Sequence, residues 1–215
     1  FTGDFSMTNQ TVSTIIQQNI AIYDKKGENH YDIISAFIKS IRGSDPNAAV
    51  YWLARMIVSG EDPLFIARRM LILASEDIGN ANPNALLLAN NCFDAVSKIG
   101  YPECRIILSQ TAVYLATSAK SNSTYMAINK AIELVEQTGD KPVPIHLRNA
   151  PTKLMKQIGY GADYRYSHDY ANHFVQQQFM PDDLQGVSLY EPADNRQENS
   201  IRELLRKLWS GIYNY

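Results

Sequence analysis

Residues 43–65 read GSDPNAAVYWLARMIVSGEDPLF, and this stretch contains one complete helix between two helix starts. In Asp45-Pro46 and again in Asp62-Pro63, the aspartate can accept a hydrogen bond from a free backbone N–H group of the first turn. The proline then occupies the first helical position, where its missing N–H costs nothing. Gly60 stands where a left-handed residue commonly ends a helix. The stretch therefore predicts a helix at 46–58.

The same signals for helix starts and ends recur on both sides of this stretch. Asn82-Pro83 repeats the cap and the proline, and Tyr101-Pro102 repeats the proline alone. Gly43, Gly79 and Gly100 stand at further expected helix ends, and apolar residues recur every three or four positions between the breaks. The pattern predicts helices at 31–42, 46–58, 63–78, 83–98, 102–118 and 123–138, and a further amphipathic helix at 9–22.

The predicted fold class is all-α, an array of antiparallel helix pairs, because short connections force consecutive helices to fold back on one another. After Gly139 the prolines at 142, 144 and 151 interrupt the helical pattern. We expect a short helix at 151–158 and otherwise a long irregular strap that extends to residue 200. A C-terminal amphipathic helix then has a single apolar stripe, formed by Ile201, Leu204, Leu205, Leu208, Trp209 and Ile212.

Composition excludes several classes of protein. With 45% apolar residues, the 215-residue chain can fill a core, and its net charge of -2 excludes a histone-like basic protein and an acidic disordered tail. Only Cys92 and Cys104 are present, too few for a disulfide scaffold, and no apolar run reaches the roughly 18 residues that span a bilayer. We expect a cytoplasmic protein without membrane contact, and a start at Phe1 predicts a piece of a longer chain.

The common catalytic signatures are absent. The sequence contains no phosphate-binding loop, dinucleotide fingerprint, nucleophile elbow or HExxH zinc motif. We therefore expect no catalytic residues, no cofactor and no enzymatic activity in these residues. His168-Asp169 leaves one alternative open, a metal-dependent phosphohydrolase of the His-Asp type. Its position in the irregular strap favours a solvated or hydrogen-bonded histidine and no metal site.

Four charged residues interrupt the apolar helix predicted at 63–78. Arg68, Arg69, Glu76 and Asp77 either pair with neighbouring helices or mark where two subunits meet, and the sequence favours neither. They are the candidate residues of an oligomer interface.

Charge is distributed most unevenly near the C-terminus. Residues 141–168 have five Lys or Arg residues against Asp163 alone, whereas residues 169–200 have six acids against Arg196 alone. Cations interleaved with aromatic rings are typical of a groove for single-stranded nucleic acid. The alternative is that the two segments neutralise each other while the tyrosines fix the strap to the core. The candidate DNA-binding residues are Lys120, Arg148, Lys153, Lys156, Tyr164, Arg165 and Tyr166.

The sequence contains several uncommon short motifs, at Tyr31-Asp32-Ile33-Ile34-Ser35-Ala36, Arg42-Gly43-Ser44-Asp45-Pro46, Ala67-Arg68-Arg69, Ala74-Ser75-Glu76-Asp77-Ile78-Gly79, Lys120-Ser121-Asn122, His146-Leu147-Arg148-Asn149-Ala150-Pro151-Thr152-Lys153-Leu154-Met155 and Gly159-Tyr160-Gly161. In this order they resemble the C-terminal region of the replication-associated recombination protein A (RarA/MgsA) family, and the similarity covers about residues 23–192. Local departures are Ser118-Ala119 and Cys104, where that family commonly has Ala-Pro and Gly.

The resemblance implies a clamp-loader-like AAA+ protein whose ATPase module, with ATP and Mg²⁺, lies outside these residues. It implies a homotetramer that acts at stalled replication forks on single-strand/double-strand junctions, together with single-strand DNA-binding protein, at the bacterial nucleoid. Residues 1–25 would end the ATPase lid, 26–140 would form a helical oligomerisation domain, and 141–215 would pack on it as strap and terminal helix. A purely structural tetramerisation module remains the alternative.

Overall fold

The computed structural model describes Gln10 and residues 28–215. The helix predicted at 9–22 and the lid segment predicted at 1–25 therefore lie outside the described residues, apart from Gln10. Helices and irregular segments account for residues 28–215, and no strand occurs among them. The predicted all-α class is confirmed.

The chain divides into two compact units, unit 1 at Phe1–Ser121 and unit 2 at Asn122–Tyr215. The sequence placed a boundary at residue 140 instead, because the helix at 123–138 has the same apolar periodicity as the helices before it. In the structure that helix belongs to unit 2.

The described part of unit 1 has five α-helices around one apolar core. Helices α1 and α2 pack against each other, as do α3 and α4, whereas α5 packs against all four of the others. Leu108 and Leu115 of α5 are fully buried, together with Phe37, Ile66 and Met70 from α1 and α3. The helices span Glu28–Arg42 (α1), Pro46–Val58 (α2), Pro63–Leu73 (α3), Asn84–Ile99 (α4) and Cys104–Thr117 (α5).

Two predicted caps are confirmed. The carboxylate of Asp45 accepts a hydrogen bond from the Ala48 N–H at 2.9 Å, and that of Asp62 accepts from the Leu64 N–H at 3.0 Å. Prolines follow both caps at the first helical position, so the two helices begin where the sequence predicted.

Three local predictions were wrong. Asn82 does not cap α4; its amide donates to the Tyr114 hydroxyl and to Ser118 Oγ, both at 3.0 Å, and so fastens the preceding loop to the end of α5. After α1 the left-handed residue is Ser44, with φ 62°, and not Gly43. The helix predicted at 63–78 changes at Leu73 into a π-helical turn, Ala74–Ile78, followed by a 3₁₀ turn, Gly79–Ala81.

Unit 2 has three helices joined by irregular chain and short 3₁₀ turns. The first helix agrees with the sequence expectation, and the short one is confined to Lys153–Gln157. The last helix begins at Arg196, within the predicted strap, and ends at Trp209, before Ile212 of the predicted stripe. The helices span Ser123–Thr138 (α6), Lys153–Gln157 (α7) and Arg196–Trp209 (α8).

The interior of unit 2 differs from that of unit 1. Every buried hydrophobic residue in the described chain lies between Ile34 and Ala116, in unit 1. Unit 2 has instead a half-buried aromatic cluster, in which the ring of Trp209 packs edge-on against Phe174 and Phe179 at centroid distances of 5.5 and 6.1 Å.

The most buried side chain of unit 2 is a carboxylate. Glu198 of α8 is fully buried and accepts hydrogen bonds from the hydroxyls of Ser123 and Tyr190 and, at 2.6 Å, from the Asn195 amide. The Asn195 side chain in turn accepts from the Glu198 N–H and caps α8. These bonds join the start of α6 to the start of α8.

Replacing Glu198 by Leu should destabilise the chain by about 3 kcal/mol, because one buried and two half-buried donors lose their acceptor. Urea unfolding followed by circular dichroism measures the change. Glu203→Leu, at an exposed site of the same helix, is the matched control and should change stability by no more than about 0.5 kcal/mol. Equal stabilities of the two variants would contradict a structural role for the buried carboxylate.

Candidate functional site

Three segments of unit 2, residues 145–148, 158–165 and 176–178, meet in an arrangement that we call the cradle. The Gly161 N–H donates to the Ile145 carbonyl at 3.0 Å, and His146 Nε2 lies 2.8 Å from the Gln178 carbonyl oxygen. Gly161 has φ +73°, and a Cβ there would lie 3.2 Å from the Arg148 carbonyl oxygen. The close approach of the first two segments therefore needs glycine at 161.

A buried amide fixes the third segment to the second. Gln177 is only 7% exposed; its Oε1 accepts from the Arg165 N–H at 3.2 Å, and its Nε2 donates to the Arg165 carbonyl at 2.8 Å. One side chain thus satisfies both backbone groups of Arg165, as a neighbouring strand would in a sheet.

Both predicted arginines use part of their hydrogen-bonding capacity within the cradle. Arg148 donates to the Val143 carbonyl at 2.7 Å and to the Tyr160 hydroxyl at 3.2 Å, and its guanidinium lies 5.1 Å from the centre of the Tyr160 ring. Arg165 donates to the Gln176 carbonyl. All these acceptors are neutral, so neither guanidinium has a carboxylate partner among the described residues.

The two predicted lysines of α7 are exposed. Lys153 and Lys156 form no ion pair or side-chain hydrogen bond with any residue in the part of the chain that the structure describes. The N-terminus of α7 is capped by Thr152, whose hydroxyl accepts from the Met155 N–H at 3.2 Å. Solvent therefore surrounds both ammonium groups.

Tyr164 and Tyr166 differ in their surroundings although both are about half exposed. The cradle borders an open cavity, and Tyr164 is one of the residues that line it. The Tyr166 ring instead packs against His168 at 5.1 Å, and His168 packs against His173 at 5.0 Å. Six of the seven predicted DNA-binding residues therefore lie on the cradle or on segments adjoining it in sequence.

Neutralisation between the basic and acidic segments is limited. Lys141 pairs with Asp183 at 2.5 Å, and its hydrogen bond holds the pKa of that carboxyl below the ordinary value. None of Arg148, Lys153, Lys156 and Arg165 pairs with a carboxylate among residues 28–215.

Lys120, the seventh predicted residue, belongs to unit 1 and is engaged there. Its ammonium donates to the carbonyls of Leu115, Ala116 and Ser118 and to Ser44 Oγ, at 2.6 to 3.1 Å. Burial lowers the pKa of this amine, while the nearby charge of Asp77 acts in the opposite direction. The side chain donates to carbonyls at the end of α5, where helical carbonyls lack a following turn, and the Leu115 carbonyl also accepts from the Ser118 N–H at 3.4 Å.

The four candidate interface residues are placed unequally. Arg42 Nε donates to Asp77 Oδ1 at 2.6 Å, and Arg42 Nη2 lies 3.5 Å from Glu76 Oε1, so both acids pair within the chain. Arg68 is exposed, whereas Arg69 is half-buried and its Nε has no hydrogen-bond partner among the described residues.

The sequence did not identify several residues that build the cradle. Gln177, Gln178 and Ile158 have no motif around them, and only the run of three glutamines at 176–178 is unusual. Among the described residues, no three His, Cys, Asp or Glu side chains are grouped so that they could share a metal ion. No described helix is both long enough and apolar enough to cross a membrane.

Comparison with known families defines the class of protein, the helical region that accompanies an AAA+ ATPase module. Residues 43–209 match the family described as MgsA AAA+ ATPase C terminal, and residues 2–42 match the AAA C-terminal domain. The first match alone covers well over half of the chain. The chain therefore belongs to the MgsA family of AAA+ ATPases, and the resemblance seen in its sequence is confirmed.

Three relatives show how much of each protein is shared. Replication-associated recombination protein A of Coxiella burnetii is 44% identical over 94% of this chain and 46% of its own length. The protein of the same name from Escherichia coli K12 is 44% identical over 91% of this chain and 44% of its own length. ATPase WRNIP1 of Dictyostelium discoideum is 47% identical over 87% of this chain and 22% of its own length. The chain thus spans less than half the length of these relatives.

The expectation of no enzymatic activity, drawn from the absent catalytic signatures, was wrong at the level of the family. Both the matched family and the Dictyostelium relative are described as ATPases. The absence of catalytic motifs applies only to these 215 residues. The relatives are more than twice as long and so have room for an ATPase module.

Lys120→Met should destabilise unit 1 by about 2 kcal/mol, because the carbonyls at the end of α5 lose their shared donor. The free energy of unfolding in urea provides the measurement. Lys98→Met is the matched control, since Lys98 lies exposed in the last turn of α4. Stability unchanged in Lys120→Met would mean that solvent replaces the four hydrogen bonds without loss.

Proposed function

We propose that the chain is the oligomerisation and DNA-association region of a clamp-loader-like AAA+ ATPase that acts at stalled replication forks. In this proposal ATP and Mg²⁺ are bound elsewhere in the whole protein, which works at the nucleoid in the cytoplasm. Family membership supports the role in replication and recombination, since relatives are named replication-associated recombination protein A.

One observation supports DNA association above all others. The cations at 148, 153, 156 and 165 have no carboxylate partner within the described chain, and the two arginines are held in place by neutral acceptors. Phosphate oxygens are the anions that such cations bind in nucleic acids. Junctions between single and double strands are the proposed targets, with single-strand DNA-binding protein as a partner. Lys120 is left out of the proposed contact because its donors are engaged in unit 1.

Oligomerisation is supported by an exposed apolar stripe on α6. Tyr125, Ile128, Ile132 and Val135 follow the spacing of a single helix face and are 43 to 59% exposed. Exposed contiguous apolar surface of this kind typically marks an interaction site. We propose a homotetramer, in which Arg68 also contributes and Glu76 and Asp77 act through their pairing with Arg42.

Light scattering coupled to size exclusion should give four times the mass of a single chain at micromolar concentration. Ile132→Glu should lower this mass, because burying an unpaired carboxylate at an apolar contact is costly. Glu133→Gln, on the polar face of the same helix, is the control and should leave the mass unchanged. A mass equal to one chain for the unsubstituted protein would refute the tetramer.

Binding of a single-stranded oligonucleotide should weaken with salt at a log-log slope of about -3 for four neutralised phosphates. Each removed cation should flatten the slope by about 0.7, so the double variant Lys153→Ala/Lys156→Ala should give about -1.5. Fluorescence anisotropy measured at salt concentrations from about 50 to about 300 mM gives the slope for each protein.

The control for this experiment is Lys39→Ala/Lys98→Ala, which removes the same charge from two exposed positions of unit 1. An equal loss of affinity in both double variants would mean that only net charge matters. An unchanged affinity in Lys153→Ala/Lys156→Ala, with the fold intact, would refute the proposed DNA surface.

A further inference from the structure

The cradle borders a cavity of about 820 Å³ that is open to solvent and is lined by apolar, aromatic and polar residues. Small-molecule sites in proteins have volumes of this order and use a few polar groups to orient the ligand. Ile145 and Ile158 form an apolar wall of the cavity, and Tyr164 also lines it. All three residues are about half exposed. Gln178 and Arg165 are polar residues of the same lining. A flat ligand with apolar faces and a polar edge matches this lining.

The walls of the cavity are fixed before any ligand binds. The Gln177 side chain holds the backbone of Arg165, and His146 holds the Gln178 carbonyl. The Gln178 amide itself donates to Asp182 Oδ1 at 2.8 Å and to the Met180 carbonyl at 3.1 Å. Pre-organised walls reduce the conformational entropy that is lost on binding.

Cations adjoin each wall in the sequence. Arg148 follows the wall residues Ile145 and His146, Lys156 precedes Ile158 by two positions, and Arg165 is itself a wall residue. A ligand in the cavity that is linked to phosphates on either side would therefore meet positive charge around it. In single-stranded nucleic acid, every base is linked through its sugar to phosphates of the backbone.

We propose that the cavity receives one unpaired nucleobase, stacked on Tyr164, of the strand whose phosphates contact the surrounding cations. This proposal rests on the proposed DNA association. Asp163, which also lines the cavity, favours a base over an acidic peptide, because a carboxylate repels acidic side chains but can accept a hydrogen bond from an exocyclic amine.

The test compares an oligonucleotide with one that has the same phosphates but abasic sites at its central positions. Base–aromatic stacking is worth about 1–3 kcal/mol per base, so the abasic strand should bind at least about fivefold more weakly. Tyr164→Leu should lose that preference, binding both strands equally, with an unchanged salt slope. Tyr170→Leu is the matched control, because Tyr170 is similarly exposed but does not line the cavity, and it should keep the preference.

A second variant tests the cavity without removing a native ring. Ala162→Trp adds bulk at an exposed lining position and should abolish the preference for the intact strand as Tyr164→Leu does. If the unsubstituted chain binds both strands equally with a slope near -3, the base site is refuted and the phosphate surface stands. If it binds neither strand, the proposed function itself fails. Displacement of the intact strand by a polyglutamate peptide, with no change in Ala162→Trp, would also contradict a base in the cavity.

Discussion

Unit 2 must be ordered without a buried hydrophobic core of its own in the described residues, and this constraint accounts for most of its features. Its buried side chains include Ser123, Gln177 and Glu198, all of them polar. A buried polar group is costly unless its hydrogen bonds are made. Long irregular segments add the further requirement that backbone groups outside helices find partners. Side chains therefore perform the work that strand pairing performs in other folds.

The same constraint determines where positive charge remains. When an arginine donates to a backbone carbonyl, the carbonyl is satisfied and the guanidinium keeps its full charge, whereas a carboxylate partner would cancel it. Arg148, Arg165 and Arg202 all donate to backbone carbonyls of the irregular chain, at Val143, Gln176 and Pro192. Ordering the strap with arginines thus leaves a basic surface as a direct consequence. Lysines 153 and 156 add to this surface without taking part in the ordering.

Local signals in the sequence predicted unit 1 well, because its helix ends depend on residues next to each other in the chain. Asp45 and Asp62 cap helices in the structure as their neighbouring prolines indicated. Asn82 precedes a proline in the same way, yet its amide is taken by Tyr114 and Ser118, more than 30 residues away. A cap and a long-range contact compete for one side chain, and only the packed structure decides between them.

The cradle was predicted only in part, for a related reason. Charge counting located Arg148 and Arg165, since an excess of one sign is visible in the sequence. A count of charges could not show whether these arginines form ion pairs with the acidic segment or donate to backbone carbonyls, because the same side chains can do either. Gln177 was not predicted at all. Its side chain is buried against the backbone of Arg165, twelve positions away, and the irregular segment that contains it shows no periodic pattern of apolar residues.

Helix α6 shows how local periodicity can place a helix correctly without showing what the helix packs against. Its half-buried positions, among them Ala127, Ala131 and Leu134, form one stripe, and the exposed stripe with Ile128 and Ile132 lies beside it on the helical wheel. A helix that is apolar over about half of its circumference needs more partner surface than one packing face provides. The chain's own fold covers the first stripe in part and leaves the second open. An assembly that covered the second stripe would supply unit 2 with the apolar burial that its polar interior does not provide.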